Sequence, residues 1–225
     1  MKNKAPDRAK EIDMTETKHK VIILSGSPHK DGTTMRALTE VKNSLEEEGI
    51  EVELIPVGHL EVRGCKGCFA CSKLKRCVID DVVNEIAEKL QAADGLVIGS
   101  PVYYASPNGG FLALLDRLFY SSRFDKSMKV GASVAVARRG GCTATFDVLN
   151  KYFTISGMPI ASSYYWNQVH GGNKEDAECD LEGMHTMRML GKNMAFLIKS
   201  IKLGIDTYGK PEKEHKVYTN FIRHD

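Results

Sequence analysis

The chain lacks several things that would each have named a function. No stretch approaches the roughly 18 consecutive apolar residues that a membrane-crossing helix needs, and Met1 to Lys20 hold six lysines and arginines and four acidic residues without an apolar segment, so they read as neither a signal peptide nor an insertion sequence. An excess of one charge is missing too. Lysine plus arginine at 31 against aspartate plus glutamate at 29 leave +2, which argues against a dedicated nucleic-acid binder. The Gly-Lys-Ser/Thr ending of a triphosphate loop is absent, as is the glycine spacing of a dinucleotide fingerprint. Internal repeats and low-complexity tracts are absent as well. These features point to a cytoplasmic protein with neither nucleic acid nor membrane as partner.

What is present suits one good-sized α/β domain. With 42% hydrophobic and 27% charged residues, 225 residues can bury a real core. We place the domain at residues 20–204, with a polar tail at 1–19 and a charged tail at 205–225. Val21-Ile22-Ile23-Leu24 is apolar without alternation, as for a strand covered on both faces. Thr34 to Glu48 then sets Ala37, Leu38, Val41 and Leu45 on one helical face, and Gly49 stops it. Ile50 to Leu54 alternates and suits a strand nearer a sheet edge. Asp80-Asp81 can cap a helix that turns Val82, Val83, Ile86 and Leu90 inward.

Gly95 to Gly99 predicts a third strand, followed by a helix presenting Phe111, Leu112, Leu115, Leu118 and Phe119. Val130 to Ala137 predicts a fourth, with a helix through Val148, Leu149 and Tyr152, and Met158 to Ser163 a fifth. A polar loop then leads to a final helix from about Leu181 to Leu203. Strand starts near 21, 50, 95, 129 and 158 are separated by 29, 45, 34 and 29 residues, close to the ~30 of one βαβ unit. A three-layer sandwich around a parallel five-stranded sheet follows. Ligands in such sheets bind beyond the carboxyl ends of strands where the strand order reverses, so the loops after strands one, three and four are the candidates.

After strand one comes Ser25-Gly26-Ser27-Pro28-His29-Lys30-Asp31-Gly32-Thr33-Thr34, running into a helix at Met35. Glycines let backbone approach a ligand, the hydroxyls of Ser27, Thr33 and Thr34 offer donors, and the helix start favours an anion such as a terminal monophosphate. A plain helix cap is the other reading. After strand three, Ser100-Pro101-Val102-Tyr103-Tyr104-Ala105-Ser106-Pro107-Asn108 sets two aromatic rings beside exposed backbone, which suits a flat heterocycle. After strand four, Arg138-Arg139-Gly140-Gly141 adds positive charge and bare backbone, which would stabilise a reduced, anionic flavin. Phosphate, flat ring and negative charge together describe FMN.

The run Val-Ile-Ile-Leu-Ser-Gly-Ser-Pro-His-Lys-Asp-Gly-Thr-Thr, with Ala-Asp-Gly-Leu-Val-Ile-Gly-Ser-Pro-Val-Tyr-Tyr further on, resembles the NAD(P)H-dependent FMN reductase and iron-sulfur flavoprotein group of flavodoxin-like proteins over about Lys20 to Leu203. The resemblance implies strand order 2-1-3-4-5 and FMN held by Ser25, Ser27, His29, Thr33, Thr34, Met35, Pro101, Val102, Tyr103, Tyr104, Arg138, Gly140 and Gly141. It also implies NAD(P)H as cosubstrate and a homodimer or homotetramer. His29 and Thr33 stand where that group commonly has arginine and asparagine.

Of six cysteines, four crowd into Cys65-x2-Cys68-x2-Cys71-x5-Cys77 while Cys142 and Cys179 stand alone and read as small hydrophobes. Three cysteines at every third position can wrap one compact cubane, and a nearby fourth can complete a [4Fe-4S] ligand set, with Lys66, Lys73, Lys75 and Arg76 offsetting the charge. Redox-active thiols are the second reading and zinc, which prefers two separated knuckles, the third. The spacing also resembles the compact motif of iron-sulfur flavoproteins.

The function expected is an FMN-dependent oxidoreductase that takes electrons from NAD(P)H, or from ferredoxin through the cluster, and passes them to a small acceptor such as a quinone, free flavin or oxygen. A non-enzymatic flavodoxin-like carrier is the alternative, although such carriers tend to be strongly acidic.

Overall fold

The computed structural model describes residues 19–219. In chain order its elements are β1 (Lys20–Ser25), α1 (Thr33–Glu47), β2 (Glu51–Pro56), α2 (Cys71–Leu74), α3 (Val82–Ala92), β3 (Gly95–Tyr103), β4 (Ser106–Pro107), α4 (Gly109–Ser121), β5 (Val130–Ala137), α5 (Cys142–Ile155), β6 (Gln168–His170), α6 (Lys174–Cys179) and α7 (Leu181–Tyr208). Among these, no helix is long and apolar enough to cross a membrane.

The apolar run of β1 explains the layers. Val21 to Leu24 are all fully buried, and successive side chains point to opposite faces of a strand. Val21 and Ile23 join Ala37, Leu38, Val41 and Leu45 of α1 and Leu190, Met194 and Ile198 of α7 in one core. Ile22 and Leu24 join Val83, Ile86 and Leu90 of α3 with Phe111 and Leu118 of α4 in the other. The sheet between them runs β2-β1-β3-β5-β6 with every neighbour parallel, and only β4 pairs antiparallel, with the end of β3. In order of its parallel strands this is 2-1-3-4-5, the flavodoxin-like arrangement anticipated above.

The fifth strand differs from the sequence expectation. Met158 to Ser163 contributes only an isolated bridge between Gly131 and Ile160, and the regular pairing comes from Gln168–His170, which we had placed in a polar loop. Pro159 carries no N–H for a ladder. The chain therefore leaves β5 after Ala161, whose amide still donates to the Gly131 carbonyl, and rejoins where Ala135 N donates to Asn167 O at 2.9 Å. Two boundaries also move. α7 continues past Leu203 to Tyr208, and β3 continues through Pro101 and Val102 to Tyr103. Residues 1–18 and 220–225 of the expected tails lie outside the described residues.

Candidate functional site

The loops after β1, β3 and β5 meet at the carboxyl edge of the sheet, and backbone contacts fix how. Gly26 N donates to Gly99 O at 2.7 Å, and Val57 N and Gly58 N both donate to Ser25 O, at 2.9 and 3.0 Å. A Cβ on Gly26 would stand 2.4 Å from the Phe111 ring, and one on Gly58 would stand 2.2 Å from Gly26 O. The first loop is therefore pressed between α4 and the end of β2. It enters α1 at Gly32, where no side chain caps the first amides. Ser25, Ser27, Thr33 and Thr34 are buried here and His29 is exposed. The Ser25 hydroxyl is fully buried with no hydrogen-bond partner. The Thr33 hydroxyl, by contrast, is already engaged with Asn173 O at 2.8 Å, so it braces the loop after β6.

The segment after Gly99 is a hairpin and not the open loop expected from the sequence. Val102 and Tyr103 pair with Pro107 and Ser106, and the two residues at the tip, Tyr104 and Ala105, have φ of 50° and 56°. That is the left-handed pair a tight two-residue hairpin demands, here without glycine, and such backbone strain concentrates at functional sites. Pro101 and Val102 are half-buried, Tyr103 is 44% exposed and Tyr104 projects fully into solvent.

The third loop closes against this hairpin. Gly141, with φ +99°, leaves room for it, since a Cβ there would stand 2.7 Å from Val102 Cγ1 and 3.0 Å from Ala105 Cα. Arg138 and Gly140 are exposed, and the aliphatic part of Arg138 lies beside Gly172. Cys142 follows directly. Burial, helped by the negative charge of Asp180, pushes its thiol up to about 11, so it stays a protonated, unreactive core residue at neutral pH.

Sequence reasoning missed the residue that joins these loops. Asn108 accepts from Gly110 N at 2.8 Å as the cap of α4, its side-chain amide donates to Gly26 O at 3.0 Å, and its backbone N–H donates to Ser100 Oγ at 3.0 Å. An asparagine directly before a Gly-Gly helix start carries a cap signal that could have exposed it.

The cysteine loop occupies the flank of the same helix. Cys65, Cys68, Cys71 and Cys77 line one small pocket with Phe69, Val78, Ile79, Arg117 and Tyr120. All four are free; Cys65 and Cys68 are exposed, Cys71 is buried and Cys77 half-buried. Arg117 donates to Cys77 Sγ from Nε and Nη2, both at 3.3 Å, and Arg123 Nη2 donates to Cys71 Sγ at 3.7 Å. Arg117 lies six positions after Phe111, which touches the first loop, about 9 Å along a helix axis. Among the described residues no three His, Cys, Asp or Glu side chains stand close enough together to hold a metal ion.

The sequence profile of the NADPH-dependent FMN reductase family matches residues 19–172. The chain belongs to that family. An iron-sulfur flavoprotein of Methanocaldococcus jannaschii is 37% identical over 195 residues, covering 81% of this chain and 99% of the relative. An iron-sulfur flavoprotein of Methanosarcina thermophila is 32% identical over 192 residues, covering 83% and 99%. The fold is similar to that of RosB with bound 8-demethyl-8-formylriboflavin-5′-phosphate, with TM-score 0.64 at 15% identity over 92% of this chain and 95% of that one. It is also similar to an archaeal flavodoxin, with TM-score 0.56 at 14% identity over 80% and 99%.

Membership makes this FMN reductase relative a flavoprotein oxidoreductase that uses FMN. Its own residues fit that cofactor. An orphaned Ser25 hydroxyl and an uncapped α1 N-terminus, on a loop whose Gly26 is packed too closely against Phe111 for a side chain, suit a phosphate ester. The cysteine loop fits a cluster in its chemistry, with four free thiols on one pocket and guanidinium donors on two of the sulfurs, although the thiols are not drawn together as a finished metal site.

Proposed function

We propose that this protein carries electrons from NAD(P)H or a ferredoxin to a small acceptor such as a quinone, with FMN at the carboxyl edge of the sheet and a [4Fe-4S] cluster on Cys65, Cys68, Cys71 and Cys77. The observation that carries the reading is a shared helix: α4 meets the first loop through Phe111 and Asn108 and the cysteine pocket through Arg117 and Tyr120. The names of the relatives, iron-sulfur flavoproteins, support the cluster.

FMN supplies the exchange between two-electron and one-electron chemistry when bound. The chain supplies position and electrostatics. Ser25, Ser27, Thr34, Met35 and the amides around His29 and Thr33 hold the phosphate end, and Pro101, Val102 and Tyr103 border the ring. With FMN bound, Arg138, Gly140 and Gly141 would set positive charge and backbone donors beside the ring, and the exposed Tyr104 would stand at the rim of the site. The exposed Tyr164, Tyr165, Trp166 and Phe196 suit a subunit interface in a homodimer or homotetramer.

The test is anaerobic purification, with flavin, iron and sulfide counted per chain, followed by NAD(P)H oxidation with and without a quinone. One FMN, about four irons and four sulfides, and acceptor-dependent turnover are expected. Colourless protein that takes up no FMN refutes the reading; bound FMN without turnover from either donor would leave the carrier.

A further inference from the structure

Arg117 is a charged side chain with only 1% exposure, set in the middle of α4. A guanidinium so placed is tolerated only if its donors are met, and here every N–H-bearing nitrogen is bonded. Nε reaches Cys77 Sγ at 3.3 Å. Nη2 reaches the same sulfur at 3.3 Å, Ile79 O at 3.1 Å and Asp81 Oδ1 at 2.9 Å. Nη1 reaches Arg63 O at 3.1 Å and Asp81 Oδ2 at 2.6 Å. Arg63 precedes the first cysteine and Ile79 follows the last, so one planar group clasps both ends of the loop. The backbone of Cys77 is held separately, its N–H donating to Asn84 Oδ1 at 2.9 Å and its carbonyl accepting from Asn84 Nδ2 at 3.2 Å.

We propose that Arg117 is the positioning residue of the cysteine site: it fixes Cys77 and both ends of the loop in advance of a cluster and, balanced by Asp81, sets how readily that site accepts an electron. The inference rests on the four-cysteine reading above. N–H donors and positive charge at a ligating sulfur stabilise the extra negative charge of a reduced cluster, and a nearby carboxylate opposes them. Only arginine can do both jobs, because a lysine ammonium is a point charge without the fork that spans Cys77, Asp81 and two carbonyls. Asp81 also caps α3 by accepting from Val83 N at 3.1 Å, a bond that asparagine can keep.

The test compares anaerobic wild type with Arg117→Gln, Arg117→Lys and Asp81→Asn. Iron and sulfide are counted per chain, and the cluster is titrated by electron paramagnetic resonance. Arg117→Gln should shift the reduced-to-oxidised ratio at fixed potential about tenfold toward oxidised, roughly 59 mV for one electron. Arg117→Lys should shift it less in the same direction and Asp81→Asn in the opposite one. A purely structural arginine would instead give full iron and an unchanged midpoint in both Arg117 variants, or shifts of one sign in all three, and either result overturns the proposal. If Arg117→Gln fails to fold, the opposed pair Arg117→Lys and Asp81→Asn carries the comparison.

Wild type without iron or sulfide would sink the four-cysteine reading itself. The positioning claim then stands or falls on amide exchange in the metal-free chain. Residues 63–79 should exchange at least tenfold faster in Arg117→Lys than in wild type while β1 and α7 stay protected; equal exchange in both proteins refutes it.

Discussion

The side-chain amide of Asn108 donates to the carbonyl of Gly26 at 3.0 Å, joining two loops 82 residues apart in the chain. Replacing Asn108 by Ala removes a helix cap and leaves a buried carbonyl unpaired, a combined cost of about 2–4 kcal/mol. We expect a fall of several degrees in the melting temperature and at least a tenfold loss of FMN affinity, read by fluorescence titration of the flavin-free protein. Unchanged affinity would show that the bond does not organise the cradle.

Gly141 and Gly140 form a matched pair for testing the third loop. Gly141 has φ +99° and a Cβ there would meet Val102, whereas a Cβ on Gly140 meets nothing within 4 Å. Gly141→Ala should cost about 1–3 kcal/mol through backbone strain and weaken FMN binding, while Gly140→Ala stays near wild type in stability. Equal effects in the two variants, by denaturant melts and flavin titration, would remove the role assigned to this packing.

Lys126 makes stability depend on pH. It is buried, with its ammonium over the Phe124 ring at 4.5 Å. Burial, with the positive charge of Arg123 adding, pushes its pKa down to about 8. An unfolded lysine titrates near about 10.4. Between those two values the unfolded chain holds a proton that the folded chain has released, so this group adds stability as pH rises and adds no slope below the lower value. Cys142, whose thiol is held up to about 11, acts in the opposite sense over part of that window, so the expected reading is a difference: the urea midpoint should rise less, or fall more, with pH in Lys126→Met than in wild type, with the lowered Lys129 acting alike in both. An identical slope in the variant would rule out Lys126 as the source.

The cysteine loop and the flavin loops should separate chemically. Cys77→Ser removes one of the four thiols on the pocket and should reduce iron and sulfide to a small fraction while one FMN per chain remains. Cys142→Ser, outside the pocket, should keep both. Loss of flavin together with iron in Cys77→Ser would mean that the loop supports the flavin cradle structurally.

The layers were readable because Val21 to Leu24 and Gly95 to Ile98 are apolar on both faces, as in a covered parallel strand, whereas the strand order came from the family resemblance. The fifth strand was not readable, because the pattern of burial falls on Met158 to Ala161 while the ladder forms three residues long at Gln168–His170. What stayed hidden was tertiary. Asn108 looks like any helix cap until its amide meets Gly26, and Arg117 looks like a solvated charge among Leu115, Asp116 and Leu118 until the cysteine loop folds over it.

The broken course of the fifth strand bears on how copies of this molecule can associate. An uninterrupted border strand offers a row of unmet amides and carbonyls that a second polypeptide can extend. Here one border is only three residues long, and the segment before it contributes a single bridge at Ile160. On this side edge-to-edge growth is denied its template, and the six residues of β2 at the opposite border are the longer backbone edge a second copy could extend.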